Sequence, residues 1–349
     1  MSEKVLVTGG SGFVASHLID QLLAAGATVN TTVRSLAQAA KIAPLRQLEQ
    51  QFPGKLHLFE ADLLQPDSFE ASMRDCAVVY HVASPFMLPE KIKDGRTQML
   101  EPALKGTQNV LASVNRTSGV RRVVLTSTVG AIFGDYSDVL QMKDCTLSEA
   151  YFNQSSSLTH NPYHYSKVMA EQEAWRIQAA QDRWSLVVIN PGLILGPSLS
   201  PASESGSLFL LDEMLRGNFF YGMPDMSVTT VDVRDVALAH IRAAETPHAS
   251  GRYILAHEEM MSFLAMARLL KPAHFRPFLL PRHQIPGWLV KAIGPLFGLS
   301  QKYMRNHIGI RFKVDNHRSR EELGISYRPI EATLREHYAS WLRQRRAAA

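Results

Sequence analysis

The sequence is poor in cysteine and has no long run of hydrophobic residues. Its 349 residues include two cysteines, Cys76 and Cys145, and no CxxC pair. This usage is typical of a reducing compartment, so we expect neither a disulfide framework nor a metal site. The first residues lack the basic and apolar stretches of a secretory signal, and a strand-like run begins directly. We therefore expect a cytoplasmic protein without a membrane span.

The net charge of the chain is also small. Lys and Arg number 37 against 32 Asp and Glu, which gives a net charge of +5. These cations are scattered along the chain rather than gathered in a stripe, which argues against nucleic acid as a partner. The densest group, Arg343 to Arg346, is interpreted as the solvated end of a helix. An anionic cofactor would account for a few unpaired cations elsewhere.

What the sequence does contain is an alternation of strands and helices. Apolar, β-branched runs begin with KVLVTG and end with WSLVVINPGLILGP, with helical stretches between them. This pattern predicts an α/β fold with a doubly wound parallel sheet of the Rossmann type. Beyond Pro197 the pattern loosens and becomes rich in helix and proline. We predict a Rossmann domain of residues 1–190 with 227–256, and a smaller, helix-rich lobe of residues 191–226 and 257–349.

The first strand runs directly into a glycine-rich turn, TGGSGFVA. Gly9 permits a tight turn, Gly12 lets a pyrophosphate approach the helix N-terminus, and Ala15 allows the helix to pack closely on the sheet. A plain strand-to-helix turn is the alternative, but the flanking strand and helix favour a dinucleotide site. The predicted cofactor-binding residues of this turn are Thr8, Gly9, Ser11, Gly12, Phe13 and Val14.

The end of the second strand, TTVRS, discriminates between cofactors. An NAD site places an acidic residue here for the ribose hydroxyls, and this sequence has Arg34 instead. A guanidinium suits a 2′-phosphate through charge-assisted, bidentate hydrogen bonds, and Lys41 would add a second cation. Both are also compatible with solvated surface positions. Asp62 and Leu63 end the third strand and would lie near the adenine, with an ordinary helix cap as the alternative for Asp62. The predicted cofactor is NADP(H), so the domain of residues 1–190 with 227–256 is predicted to bind NADP(H), and the smaller lobe is predicted to bind the substrate.

The segment NPYHYSKVMAEQ carries the predicted chemistry. Asn161 and Pro162 match the N-cap and first residue of a helix, which places Tyr163 in its first turn and Lys167 on the same face. The ammonium and the positive helix end are expected to lower the phenol pKa from its ordinary value of about 10. Tyr163 would donate a proton to a carbonyl oxygen as hydride reaches the carbon. Lys167 would also hold the nicotinamide ribose.

Three hydroxyl side chains follow the fifth strand in VVLTSTVGAIFG. Any of Thr126, Ser127 and Thr128 offers a hydrogen bond to the substrate oxygen and to Tyr163. Alternation along a strand turns Ser127 away from its two neighbours. The alternative is that two of the three hydroxyls only cap the end of the strand.

Together these motifs resemble the extended short-chain dehydrogenase/reductase family. The most similar branch contains dihydroflavonol 4-reductase, cinnamoyl-CoA reductase and microbial aldehyde and ketone reductases. The similarity extends over nearly the whole chain and includes HVASPF, YHYSK, NPGLILGP and VDVRDVALAH. It implies that Ala83 and Ser84 line the cofactor, that Pro191 and Leu193 border the nicotinamide, and that the cofactor is NADPH.

The resemblance also bears on the catalytic hydroxyl. In this branch the fifth strand usually ends Thr-Ser-Ser, and the second serine is catalytic. Thr128 occupies that place here and is therefore favoured, with Ser127 as the second candidate.

The predicted activity is an NADPH-dependent reduction of an apolar or aromatic aldehyde or ketone, a small-molecule carbonyl. A nucleotide-sugar epimerase or dehydratase shares the glycine turn and the Tyr/Lys pair, but the missing acidic residue argues against it. A 3β-hydroxysteroid-type dehydrogenase is a variant with the opposite net direction. Intact Tyr163 and Lys167 argue against a catalytically silent dinucleotide sensor.

The apolar segment from Pro281 to Met304 has three open interpretations. Its apolar side chains recur near helical spacing, but the run is interrupted and shorter than the about 20 residues of a membrane span. It either packs into the core, forms a wall or lid over an apolar substrate, or makes a peripheral membrane contact flanked by Lys291 and Lys302. The apolar residues concerned are Trp288, Leu289, Ile293, Leu296 and Phe297.

Overall fold

The computed structural model describes residues 3–85, 92–200, 205–297 and 300–347. Phe86, which closes the HVASPF motif, and the side chain of Phe297 lie outside this description. The strands are β1 (Lys4–Val7), β2 (Thr28–Val33), β3 (Leu56–Glu60), β4 (Val78–His81), β5 (Arg122–Thr126), β6 (Thr146–Leu147), β7 (Ser185–Pro191), β8 (Leu193–Leu195), β9 (Ser227–Val228), β10 (Thr230–Asp232), β11 (Gly251–Leu255), β12 (Met261–Ser262) and β13 (Lys313–Val314).

Helices alternate with these strands over the first two thirds of the chain and dominate the rest. They are α1 (Phe13–Ala24), α2 (Ala39–Gln51), α3 (Glu70–Met73), α4 (Glu101–Arg116), α5 (Tyr136–Val139), α6 (Pro162–Gln178), α7 (Gly206–Arg216), α8 (Val233–Glu245), α9 (Phe263–Leu270), α10 (Gly287–Ile293), α11 (Gln301–His307), α12 (His317–Glu321) and α13 (Ile330–Ala347).

Seven strands form the central sheet in the order β11-β7-β5-β4-β1-β2-β3. Every pairing within it is parallel. From β1 the chain moves outward through β2 and β3 in one direction and through β4 and β5 in the other. This is the predicted doubly wound Rossmann arrangement, and the reversal next to β1 opens a crevice at the carboxyl ends of the strands, where such folds bind ligands.

Both faces of the sheet are covered, as the continuous apolar strands require. In β1, Val5 and Val7 pack into a core with α1, α2 and α8, while Leu6 between them packs into a second core with α3, α4 and α6. Trp184, just before β7, is fully buried in the second core. Burial of each such side chain stabilises the fold by about 1.5–3 kcal/mol.

The C-terminal part is helix-rich and has a core of its own. Leu211 and Met214 of α7, Leu270 of α9 and Tyr338 of α13 pack together there, beside β8. No described helix is both long and apolar enough to cross a membrane. The division of the chain into an NADP-binding domain and a substrate lobe stays a prediction.

The apolar segment after Pro281 is only partly packed. In α10, Val290 is buried, whereas Leu289 and Ile293 are half-buried. Trp288 is 73% exposed and Leu296, just after the helix, is 84% exposed. Core packing therefore accounts for one side of this segment and leaves its two most exposed apolar side chains without a role in the core.

Candidate active site

The glycine turn after β1 is tightly packed on the sheet. Gly9 has a φ of +71°, a conformation that glycine adopts easily, and a Cβ there would lie 3.0 Å from Cβ of Ala83. At Gly10 a Cβ would lie 2.2 Å from the hydroxyl oxygen of Thr31. The turn is thus pressed against the ends of both β2 and β4, as a nucleotide-binding turn requires.

The next residues form an anion site at the N-terminus of α1. Gly12 directly precedes the helix, and its N–H donates to the carbonyl of Gly9 at 2.9 Å. The N–H groups of Phe13 and Val14 have no acceptor among the described residues. Free N–H groups and the helix dipole favour a phosphate, so Ser11 to Val14 fit the pyrophosphate of a dinucleotide.

The buried side chain of Thr8 connects the glycine turn to the segment that follows β4. Its buried hydroxyl accepts hydrogen bonds from the N–H groups of Val82 at 3.1 Å and Ala83 at 3.0 Å, and it lies 3.1 Å from Nδ1 of His81. Burial and the charge of Lys167 lower the pKa of His81 to about 3, so its ring is neutral and accepts the hydroxyl proton. Any contact of Thr8 with the cofactor would therefore use its backbone.

The residues predicted around the adenosine half lie beyond β2 and β3. Arg34 follows β2 directly, is exposed, and has no carboxylate partner among the described residues. This setting fits a 2′-phosphate. Lys41 is half-buried in α2. Asp62 accepts a hydrogen bond from the N–H of Leu64 at 2.9 Å, so its carboxylate shapes the turn after β3, while Leu63 faces a crevice described below.

Helix α6 begins where the sequence predicted, with Asn161 before it and Pro162 first. Asn161 has a φ of +52° and does not cap the helix with its side chain, which instead donates to the carbonyl of Gly134 at 2.9 Å. Tyr163 is half-buried in the first turn.

The direction of the Tyr163 shift differs from the prediction. Burial raises the pKa of Tyr163 to about 12, because the phenolate would be removed from water. The phenol is consequently protonated throughout the neutral range. That is the form a proton donor needs.

Lys167 lies one turn further along α6 and is buried. Its ammonium donates to the carbonyl of Thr126 at 3.1 Å and to the hydroxyl of Ser84 at 3.3 Å. Burial lowers the pKa of Lys167 to about 8, although the charge of Glu171 acts in the opposite direction. The predicted residues Leu63, Ala83, Ser84, Ser127 and Lys167 line one crevice together with His81.

Two of the three candidate hydroxyls are already used inside the protein. The hydroxyl of Thr126 lies 2.7 Å from Nε2 of His240, whose other ring nitrogen faces a backbone carbonyl. Ser127 donates to the carboxylate of Glu171 at 2.5 Å and is buried. The two side chains thus point to opposite faces of the sheet, as the alternation predicted.

Thr128 differs from both. It is half-buried, and its hydroxyl oxygen accepts from the N–H of Gly130 at 3.2 Å. Its hydroxyl proton has no acceptor among the described residues. Of the three, Thr128 is the side chain that remains able to donate a hydrogen bond outward.

A buried ion pair behind Lys167 was not predicted. Glu171 accepts hydrogen bonds from Ser127 and from the amide of Asn190 at 3.0 Å, and its other oxygen lies 2.6 Å from Nε of Arg252. That last contact is off the N–H direction, so it is an ion pair more than a hydrogen bond. The sequence signal was the second four-residue step from Tyr163 through Lys167 to Glu171, which continues one face of α6.

A second buried carboxylate lies at the start of the same helix and was also missed. Asp135 accepts from the amides of Asn161 at 3.1 Å and Asn306 at 2.7 Å, and from His160 at 2.9 Å, with His307 at 3.7 Å. Burial alone would raise the pKa of Asp135, but the bonds from His160 and Asn306 hold it below its ordinary value. No local pattern in the sequence marks this residue.

Pro191 and Leu193 lie at the carboxyl edge of the sheet, and their contact with the nicotinamide stays a prediction. Pro191 ends β7 and Leu193 begins β8, with Gly192 between them. A Cβ at Gly192 would lie 2.6 Å from the hydroxyl of Thr229, so this crossing requires glycine. Ile189, two residues before Pro191, pairs with Thr126 at the end of β5, which leads into the candidate hydroxyls.

Comparisons with known proteins agree with this architecture. A family model described as the NAD dependent epimerase/dehydratase family matches residues 5–256. The chain is 32% identical over 340 residues to a cinnamoyl-CoA reductase of Medicago truncatula, which covers 96% of this chain and 94% of the relative. It is 38% identical over 262 residues to an anthocyanidin reductase of Arabidopsis thaliana, across 72% of this chain and 75% of the relative.

Solved structures show the same fold over the full length. Gre2 from Candida albicans in complex with NADPH superposes with a TM-score of 0.76 at 26% identity, and the match covers 98% of this chain and 99% of that one. The sequence motifs, the parallel sheet and these relatives lead to one assignment. The chain belongs to the NAD dependent epimerase/dehydratase family of extended short-chain dehydrogenases/reductases, in the branch that contains the cinnamoyl-CoA and anthocyanidin reductases.

Proposed function

We propose that this protein is a carbonyl reductase that uses NADPH to reduce an apolar or aromatic aldehyde or ketone, with Tyr163 as the proton donor. The observation that carries the proposal is that α6 begins against the end of β5. The Lys167 ammonium donates to the carbonyl of Thr126, and His164, next to Tyr163, lies against Gly130, two residues after Thr128. The family and the NADPH-bound neighbour directly support the more general assignment, an oxidoreductase that works with NADP(H).

The chain's own groups can be assigned to distinct steps. NADPH, when bound, supplies the hydride. The Thr128 hydroxyl holds the carbonyl oxygen, and Tyr163 gives that oxygen its proton as negative charge develops there. The Lys167 ammonium stabilises the phenolate that remains, since a positive charge nearby favours the ionised form of the phenol.

The preference for NADPH follows from charge at the end of β2. Arg34 is an exposed cation without a carboxylate partner among the described residues, at the position where NAD enzymes present an acid. A guanidinium there attracts a 2′-phosphate and offers nothing equivalent to an unphosphorylated ribose.

An apolar or aromatic substrate is favoured by the side chains that surround the start of α6. The ring of Tyr163 lies 5.8 Å from that of His164, and the His164 ring is 6.5 Å from Phe133. Phe133 in turn packs edge-on against Phe312 at 5.5 Å. Phe133 and Phe312 are buried, so these rings give Tyr163 an apolar backing, and the relatives named as cinnamoyl-CoA and anthocyanidin reductases favour the same class of substrate.

The direct test measures NADPH oxidation with purified protein and three sets of compounds: aromatic aldehydes, diketones and UDP-sugars. We expect turnover with the carbonyl compounds. Tyr163→Phe should lower kcat by about 10²–10⁴ while NADPH still binds, because only the proton donor is lost. Tyr165→Phe, two residues away on the same helix, is the matched control and should keep its activity.

Conversion of UDP-sugars without carbonyl reduction would overturn the proposal, and so would a fully active Tyr163→Phe variant. A second set of measurements tests the cofactor. Arg34→Ala should weaken NADPH binding about tenfold or more, as expected for lost charge-assisted hydrogen bonds, and should leave NADH binding nearly unchanged. Equal losses for both cofactors would remove Arg34 from the 2′-phosphate site.

A further inference from the structure

One long stretch of the C-terminal part has charge of a single sign. Between Glu259 and Asp315 the sequence contains nine Lys and Arg residues and no Asp or Glu. All nine are exposed. Arg311 and Lys313 pair with acidic side chains at its edge, whereas the seven from Arg268 to Arg305 have no carboxylate partner among the described residues. A soluble surface normally mixes the two signs, so this stretch is unusual.

The same stretch exposes large apolar side chains. Trp288 is 73% exposed, Leu296 84% and Phe278 57%, and Phe275 is also exposed. The loop after α7 adds Phe220 and Tyr221, at 61% and 45%. Single exposed apolar residues are ordinary, but a group of this size marks an interaction site. We call these six residues and the seven unpaired cations the basic apolar surface.

Backbone contacts hold the parts of this surface together. Gly217 lies against the side chain of Leu279. Met223 then joins the loop to the segment before α10, because its N–H donates to the carbonyl of His283 at 3.2 Å and its carbonyl accepts from Ile285 at 2.8 Å. The exposed rings of the loop and of the segment after α9 are therefore neighbours.

Two further contacts extend the surface at both ends. Gln301 of α11 donates its side-chain amide to the carbonyl of Lys291 in α10 at 2.8 Å. At the other end, the guanidinium of Arg345 lies 5.7 Å from the ring of Phe275 and 5.2 Å from that of Trp341. The basic end of α13 thus adds to the same patch of positive charge and is more than a solvated helix end.

We infer that the basic apolar surface docks this protein on the surface of an anionic lipid bilayer. Lys and Arg are drawn to anionic headgroups, and Trp and Phe reside readily at the headgroup level while an aliphatic side chain such as Leu296 enters the acyl region. A second copy of the chain is disfavoured, because a symmetric contact would set like charges against like. Nucleic acid would attract the cations but would gain little from an exposed leucine.

The full-length protein should sediment with vesicles of phosphatidylcholine containing one quarter phosphatidylglycerol, and much less with phosphatidylcholine alone. Raising the salt from about 0.1 M to about 1 M shortens the screening length from about 10 Å to about 3 Å and should release most of the protein. Brominated lipids should quench tryptophan emission, and Trp288→Ala should remove most of that quenching.

Charge is tested with a pair of double variants that lose the same two cations. Each cation near an anionic surface contributes about fivefold to binding, so Arg282→Gln with Lys291→Gln should weaken vesicle binding about 25-fold. Arg74→Gln with Lys143→Gln, both exposed outside the surface, should change it less than about twofold. Melting temperatures and NADPH binding check that all variants are folded.

Three results would overturn the inference. One is equal sedimentation with neutral and anionic vesicles, or none with either. Another is binding of single-stranded RNA in place of vesicles. The third is a Trp288→Ala variant that raises KM for bulky carbonyl compounds while vesicle binding is unchanged, which would assign this segment to a substrate lid.

Discussion

Helix α6 carries Tyr163 near its start and Lys167 and Glu171 further along, and buried carboxylates anchor these two parts in different ways. Behind Lys167, Glu171 is held by a permanent cation, Arg252, and by side chains from the central sheet. At the other end, Asp135 is held by amides and histidine, and one of its amides, Asn306, belongs to α11 in the C-terminal part. One anchor lies wholly within the Rossmann core, whereas the other joins that core to the C-terminal part.

This difference means that Lys167 and Tyr163 are positioned by different parts of the fold. An arginine keeps its charge at every accessible pH and therefore fixes the surroundings of Lys167. Hydrogen bonds from amides and from histidine are weaker and come from separate segments, so the position of Tyr163 depends on where the C-terminal part is held. Four experiments test this contrast.

The largest effect is expected at the Lys167 end. Arg252→Met leaves Glu171 buried without its direct ion-pair partner, and the free energy of unfolding should fall by about 3–5 kcal/mol in urea titrations. Adding Glu171→Leu should recover a substantial part, because an apolar pair of similar volume removes the uncompensated charge. Arg242→Met, at an exposed position on α8, should change stability by less than about 0.5 kcal/mol. A loss for Arg252→Met no larger than for this control would show that the ion pair is not an anchor.

The next experiment distinguishes the roles of the Ser127 and Thr128 hydroxyls, which directly follow β5. Thr128→Val should lower kcat by about 10²–10³, as removal of a donor to a developing oxyanion does, with little change in stability. Ser127→Ala should chiefly lower stability, because it leaves the buried Glu171 with one donor fewer. The reverse pattern would place the catalytic hydroxyl on Ser127.

A smaller effect is expected at the Tyr163 end. Asp135→Asn keeps the shape but removes the charge and one acceptor, so unfolding should become easier by about 1–3 kcal/mol. We expect kcat with the carbonyl substrate to fall while the Kd for NADPH stays constant, because the cofactor turn is remote from Asp135. Measuring both constants on one preparation separates the roles. Equal losses would mean that Asp135 supports the whole site and not the tyrosine end.

The last experiment is the pH profile, in which the effect near neutral pH is the smallest of the four. Because the pKa of Lys167 is lowered to about 8, its ammonium loses its proton nearer to neutrality than an exposed lysine does. As pH rises through that value, kcat should fall by about tenfold per pH unit, since the charge that stabilises the phenolate disappears. Lys167→Arg retains the charge and should move the decline to higher pH. A rate that stays flat up to about pH 10 would contradict the lowered pKa.

Local signals explain how much of this could be read from the sequence. Alternating apolar runs, the glycine turn and the Asn161–Pro162 start of α6 each depend on neighbouring residues, and all three were placed correctly. Strand alternation also separated Ser127 from Thr126. Residues that are close together in the sequence are sufficient to specify these features.

The features that were missed depend on distant segments. Asp135 meets Asn306 only once the C-terminal part has folded onto the core, and no spacing in the sequence predicts that contact. The pKa of Tyr163 was predicted in the wrong direction because helix spacing reveals neighbouring charge but not depth of burial. Helical spacing in α10 indicated an apolar face without showing that Trp288 is left exposed.

The close packing of Gly10 limits the substitutions that the glycine turn can accept during evolution. A methyl group at Gly10 would collide with the Thr31 hydroxyl, which itself donates to the carbonyl of Val7 at 2.8 Å. Gly10→Ala therefore requires the Thr31 hydroxyl to move, whereas Thr31→Ala removes that oxygen at the cost of one buried hydrogen bond and leaves Cδ1 of Ile19 at 3.1 Å. The order in which substitutions at the two positions accumulate therefore matters, and the route with the smaller clash changes Thr31 first.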